Sequence, residues 1–158
     1  MMIFMEIGDK IPDLEVLDDQ NNKVNLLQLS QKEKKKIVLY FYPKDNTPGC
    51  TKEACSFRDD YSVFKDKNIL IYGVSADSIS SHTKFKSKFN LPFPLLSDPD
   101  LKLTKAFGAY GKKRTGGMGL VRSTFVINEE GKVSAIFGLT GHPKVTTTIH
   151  AQEVLQVL

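Results

Sequence analysis

Two uninterrupted apolar runs, Ile37-Val-Leu-Tyr-Phe-Tyr42 and Ile69-Leu-Ile-Tyr-Gly-Val74, constrain this chain more than any other feature. Both are dominated by β-branched and aromatic residues, which predicts buried strands over 36–42 and 68–76. The segment between them, from about Gly49 to Lys67, reads as a helix. Asp77-Ser-Ile-Ser supplies an N-cap region for a further helix to about Phe89, with Ile79, His82, Phe85 and Phe89 at helical spacing. Such strand–helix–strand units call for a partly parallel central sheet with helices on both faces.

The flanks add antiparallel pieces. Residues 14–26 alternate as two short strands around a polar turn, an N-terminal β-hairpin. Ser123–Ile127 and Lys132–Phe137 read as strands joined by Asn128-Glu-Glu-Gly131, with glycine where a positive φ is needed. The region 91–99 reads as a loop with a short extended piece, and 100–107 as one short helix. Gly108 to Gly119 reads as a mobile loop. Residues 145–158 read as a closing helix with Ile149, Val154, Leu155 and Leu158 on one side. The fold class is therefore α/β: a central mixed β-sheet flanked by helices, with thioredoxin-like outline. Periodicity alone leaves other α/β sandwiches open.

The 158 residues suit one domain, 1–158, since no linker, repeat or low-complexity tract divides them. A net charge of +4 is spread along the chain, and its densest run, Lys32-Glu-Lys-Lys-Lys36, lacks the interleaved aromatics of a stacking platform. No nucleic-acid partner is expected. No stretch has the length of a transmembrane helix, so no membrane partner is expected either. The N-terminus lacks a basic region followed by a long apolar one, and a cytoplasmic location follows as the expectation. In a reducing compartment two cysteines are more often redox-active, metal-binding or buried than joined in a structural disulfide.

Both cysteines sit in one stretch, Pro43-Lys-Asp-Asn-Thr47-Pro-Gly-Cys50-Thr-Lys-Glu-Ala-Cys55. The first strand runs straight into it, and Pro43, Pro48 and Gly49 punctuate a loop before the helix. Cys50 thus falls on the first turn of a helix at the carboxyl end of a strand. Free backbone N–H groups and the helix dipole favour an anion there, and so the reactive thiolate of Cys50.

The spacing Pro43, Thr47, Cys50 resembles the active-site signature of the peroxiredoxins. Gly49-Cys-Thr-Lys-Glu-Ala-Cys-Ser-Phe-Arg58, Leu96-Ser-Asp98 and Arg122-Ser-Thr-Phe-Val-Ile127 extend the resemblance to the bacterioferritin-comigratory or peroxiredoxin Q group. Four agreeing motifs in order over nearly the whole chain are specific where a lone Thr-x-x-Cys would be weak. The resemblance implies a thiol-dependent peroxidase acting on hydrogen peroxide and organic hydroperoxides, in antioxidant defence and redox homeostasis. Cys50 would be the peroxidatic cysteine, oxidised to a sulfenic acid. Thr47 would direct the peroxide, Arg122 would place a permanent cation at the sulfur, and Pro43 would shield it from bulk water. Each also has a plainer reading: an inert buried thiol, a helix cap, a surface charge at a strand start, a strand end. Glu53, one turn after Cys50, either pairs with Arg122 or another arginine, or faces solvent.

The resemblance makes Cys55 the resolving cysteine, forming a Cys50–Cys55 disulfide that thioredoxin or a similar dithiol donor reduces. Residues five apart in a regular helix have Cα atoms roughly 8–9 Å apart. A disulfide needs about 4.4–6.8 Å, so the helix must unwind over 49–56 for the bond to form. Otherwise Cys55 is a small buried apolar residue and reduction needs an external thiol. An alternative function with the same chemistry is a peroxide-sensing redox switch that binds a partner when oxidised. An intramolecular disulfide is compatible with a monomer or a weak homodimer. His82, His142 and His150 match no zinc spacing, and no phosphate loop is present, so neither metal nor cofactor is expected.

Overall fold

A computed structural model describes residues 5–113 and 115–158. Its seven-stranded sheet has the order β2-β1-β5-β4-β3-β8-β9. Strands β3 (Lys36–Phe41) and β4 (Ile69–Ser75) are the two apolar runs. They pair in parallel, from Lys36 opposite Ile69 to Phe41 opposite Val74. β5 (Leu95–Ser97) is parallel to β4, while β8 (Ser123–Ile127) runs antiparallel to β3 and to β9 (Val133–Phe137). The N-terminal hairpin, β1 (Glu15–Asp18) with β2 (Lys23–Asn25), closes the other edge through an antiparallel β1–β5 pair. The sheet is mixed, as the sequence predicts.

Alternation along β3 divides the interior in two. Ile37, Leu39 and Phe41 join Phe125 and Ile127 on one face, covered by α1 (Leu26–Glu33) and α5 (Lys102–Ala106). Val38, Tyr40 and Tyr42 point to the other. There they meet α2 (Pro48–Asp59), α3 (Tyr61–Asp66), α4 (Ile79–Phe89) and α6 (His150–Leu155). This second face carries an aromatic stack, Tyr40 on Phe57 with ring centroids 4.8 Å apart. Full burial of the Phe57 side chain contributes about 1.5–3 kcal/mol.

Four local expectations change. The helix over 49–67 is two helices, broken at Asp60, whose φ of −102° and ψ of 10° leave the α region. The closing helix is confined to His150–Leu155, and Ile149 is exposed rather than packed with Val154. Three consecutive threonines before Ile149 disfavour an earlier start. The loop 108–119 contains a small antiparallel pair, β6 (Tyr110–Lys112) and β7 (Met118–Leu120); Arg114 within it lies outside the described residues. Helix α1 was not foreseen, because only Leu26, Leu27 and Ser30 of its eight residues are buried and its second half is polar. The Asn128–Gly131 turn is as expected, with Gly131 at φ 79°.

Candidate active site

The polypeptide leaves β3 through Tyr42, turns at Asn46 in the left-handed region (φ 58°), and enters α2 at Thr47. Asparagine tolerates that conformation better than most residues. Pro48 occupies the first helical position, where its missing N–H costs nothing. Thr47 stands at the N-cap position with extended backbone, yet its side chain does not cap the helix. Its hydroxyl instead donates to the Lys44 carbonyl at 2.8 Å.

Cys50 lies in the first turn of α2 and is 1% exposed. Arg122, just before β8 on the strand next to β3, reaches it, and its Nη2–H donates to Cys50 Sγ at 3.2 Å. Two glycines permit this approach. A Cβ at Gly49 would come within 3.2 Å of the Arg122 guanidinium. One at Gly138 (φ 85°), just beyond β9, would strike the Arg122 carbonyl. The other arm of the guanidinium donates from Nη1 to Glu53 Oε1 at 2.6 Å. Glu53 therefore pairs with Arg122 and is fully buried, which settles the choice its sequence position left open.

Burial pushes the Glu53 carboxyl up to about 7, against the pull of Arg122. Burial alone would lower Arg122, but Glu53 and Cys50 beside it raise it above its ordinary value. The cation is thus permanent, with one arm on a carboxylate and one on the sulfur. Behind Glu53 stands His150 of α6, its Nε2 4.0 Å from Glu53 Oε2. This is not an ion pair. Burial lowers His150 below its ordinary value despite Glu153. The neutral ring donates from Nδ1 to Glu153 Oε1 (2.9 Å) and accepts the Thr124 hydroxyl at Nε2 (2.7 Å).

Pro43 is exposed and, with Lys112, Lys113, Leu120, Val121 and Arg122, lines a cleft of about 350 Å³. The β6–β7 pair forms the far wall of this cleft. Cys55 lies on α2 with Cys50; both are free thiols, Cys50 buried and Cys55 half-buried. Within one intact helix they stand too far apart to bond. The structure thus brings Cys50, Arg122 and Glu53 into direct contact, sets Thr47 at the mouth of the same helix and Pro43 beside Arg122.

Sequence reasoning missed a second polar cluster behind the loop. Asp45, Asp77 and His82 bring ligand-type atoms within 4.8 Å of one another. Both ring nitrogens of His82 already face protein acceptors, Asp45 Oδ2 and the Leu96 carbonyl, each at 2.8 Å. No lone pair is left for a metal ion. The signal for His82 was its place among the buried positions of α4; its partner Asp45 is 37 residues away.

Residues 7–136 match the AhpC/TSA family. Peroxiredoxin Bcp of Bacillus subtilis is 47% identical, over 98% of this chain and 95% of its own length. A putative peroxiredoxin bcp of Coxiella burnetii is 42% identical, over 96% and 97% respectively. Among solved structures, a PrxQ mutant of Xylella fastidiosa superposes with a TM-score of 0.87 at 33% identity, covering 98% of this chain and 95% of that one. The thioredoxin-like architecture is shared.

Proposed function

The chain belongs to the AhpC/TSA family and is a peroxiredoxin, a thiol-dependent peroxidase, and on that premise we propose that Cys50 is its peroxidatic residue and Cys55 its resolving one. The observation that carries this reading is the 3.2 Å contact from the Arg122 guanidinium to Cys50 Sγ in the first turn of α2. A fixed cation there stabilises the charge that develops on the departing oxygen.

In the first step the Cys50 thiolate attacks one peroxide oxygen along the O–O axis. An S–O bond forms, the O–O bond breaks, and Cys50 becomes a sulfenic acid. The other oxygen leaves as hydroxide or alkoxide and takes a proton to become water or alcohol. Thr47 accepts the peroxide O–H and sets its direction. Arg122 meets the negative charge as it develops, and Pro43, with no N–H, keeps water from the cleft wall. In the second step the Cys55 thiol attacks the Cys50 sulfenic sulfur, forms the disulfide and releases water. A dithiol donor such as thioredoxin then returns both thiols. Residues 1–158 act as one domain in the cytoplasm, as a monomer or weak homodimer. Hydrogen peroxide and organic hydroperoxides are the substrates, and neither nucleic acid nor membrane takes part.

Mass spectrometry after one equivalent of hydrogen peroxide tests the assignment. The wild type should lose two hydrogens, mapped to a Cys50–Cys55 bond. Cys55→Ser should consume one equivalent and then stall with thioredoxin. A Cys50→Ser variant that still consumed peroxide at the wild-type rate would refute the reading.

A further inference from the structure

Thr47 can direct a peroxide only if something directs Thr47. The peptide unit joining Lys44 to Asp45 does so. Its carbonyl accepts the Thr47 hydroxyl at 2.8 Å. Its N–H, on Asp45, donates to Asp77 Oδ2 at 2.8 Å. One rigid plane therefore carries the acceptor that sets the Thr47 rotamer and the donor that ties it to the start of α4.

The Asp45 side chain secures the same plane. Its carboxylate accepts from the Tyr42 hydroxyl (2.6 Å), the Ser81 hydroxyl (2.8 Å) and His82 Nδ1 (2.8 Å). His82 is fully buried and also donates from Nε2 to the Leu96 carbonyl at 2.8 Å. An acceptor at each ring nitrogen requires a proton on each, so the ring is an imidazolium paired with Asp45. The other polar groups facing it are the Tyr42 hydroxyl at 3.4 Å and the Asp77 carboxylate. Asp77 in turn takes the Ser75 hydroxyl at 2.6 Å, at the end of β4. The loop is thereby fastened to β4, β5 and α4. Asn46, next along the chain, adopts the left-handed conformation that turns the loop toward Thr47.

We propose that Asp77 and His82 are positioning residues for peroxide reduction. Through the Lys44–Asp45 peptide they hold the Thr47 hydroxyl with its proton on the Lys44 carbonyl and its lone pairs free to accept the O–H of an incoming peroxide. Without this fastening the peptide can rotate, the hydroxyl loses its acceptor, and it offers a donor where an acceptor is needed. The proposal rests on the role given to Thr47 above.

The test uses the full chain in a Cys55→Ser background, which leaves one thiol. Two rates are measured at Cys50 by quenching and mass spectrometry: oxidation by hydrogen peroxide and alkylation by iodoacetamide, which needs no help from Thr47. Asp77 is only half-buried, so Asp77→Ala should fold. It should slow oxidation about tenfold, the effect of one lost orienting hydrogen bond, and leave alkylation unchanged. Asp77→Asn retains an acceptor oxygen and should restore most of the rate. In a Thr47→Val background, Asp77→Ala should add no further loss. Wild-type oxidation in Asp77→Ala, an equal fall in alkylation, or a fully additive loss with Thr47→Val would overturn the proposal. A Thr47→Val variant that oxidises normally would instead remove the role of Thr47, and this proposal with it, while leaving Cys50 in place. The part played by His82 is read by NMR: both ring N–H protons should be visible at neutral pH, and a singly protonated ring would remove it.

Discussion

Glu53 holds a charge in the least favourable surroundings of any residue near the sulfur. It is fully buried, and its Oε2 has no hydrogen-bond partner among the described residues. Oε1 alone is satisfied, by Arg122 at 2.6 Å. A carboxylate so placed is stabilised by one neighbour and penalised by loss of water on its other side. The consequence is a pH dependence of stability. In the folded protein the carboxyl titrates at about 7, against 4.5 for an ordinary glutamate. The folded state thus binds this proton more tightly than the unfolded chain. That contribution is complete below the unfolded value and is lost as pH rises through the folded one. Glu53→Gln abolishes the dependence. Measured by urea unfolding, the stability of Glu53→Gln relative to the wild type should improve by on the order of 2 kcal/mol between pH 5 and pH 8. A difference independent of pH would show that Glu53 stays ionised throughout that window.

Helix α2 must be stable enough to present Cys50 and weak enough to release it. Its first turn contains Gly49, a poor helix former. Its attachments are specific: Arg122 on Glu53, and the Ala151 N–H of α6 on Ser56 Oγ at 3.2 Å. The break at Asp60 separates α2 from α3, so unwinding has a natural limit. On oxidation to the disulfide, amides of 49–56 should lose hydrogen-exchange protection, while those of α3 keep it. Equal protection of 49–56 in both redox states would show that the bond does not form within the chain. Much of this element could be read in the residues themselves. The Pro43–Cys50 spacing marked the loop-to-helix junction, and Thr47 and Arg122 followed from motif. The partners of those residues could not be read. Asp45, Asp77 and His82 meet only because β4 and α4 return beside the loop, and His150 meets Glu53 only because α6 packs on α2. Local periodicity marks which residues are buried, not which buried polar groups face each other. The same limit hid α1, whose few buried positions carry little periodic signal.

At the scale of the whole molecule the sheet separates stability from chemistry. Cys50, Tyr40 and Phe57 lie on one face, and Phe41, Phe107 and Phe125 on the other. Phe107 is fully buried at the end of α5 and packs edge-on against Phe125, with ring centroids 5.1 Å apart. Its ring contacts with Phe41 and Phe125 reach the active-site half through β3 and β8, whose backbone pairing is continuous from Ile37–Ile127 to Phe41–Ser123. Phe107→Ala opens a cavity in a face where the neighbours are held by the sheet, which should cost about 3–5 kcal/mol in denaturant unfolding. The hydrogen bonds of Arg122 originate on the opposite side and lose no partner. The rate constant for Cys50 oxidation per folded molecule should therefore stay within about twofold of wild type, a change of less than about 0.5 kcal/mol in the barrier. A parallel fall in stability and oxidation rate would mean that strain crosses the sheet, and that the position of the Arg122 cation depends on packing in both halves of the interior.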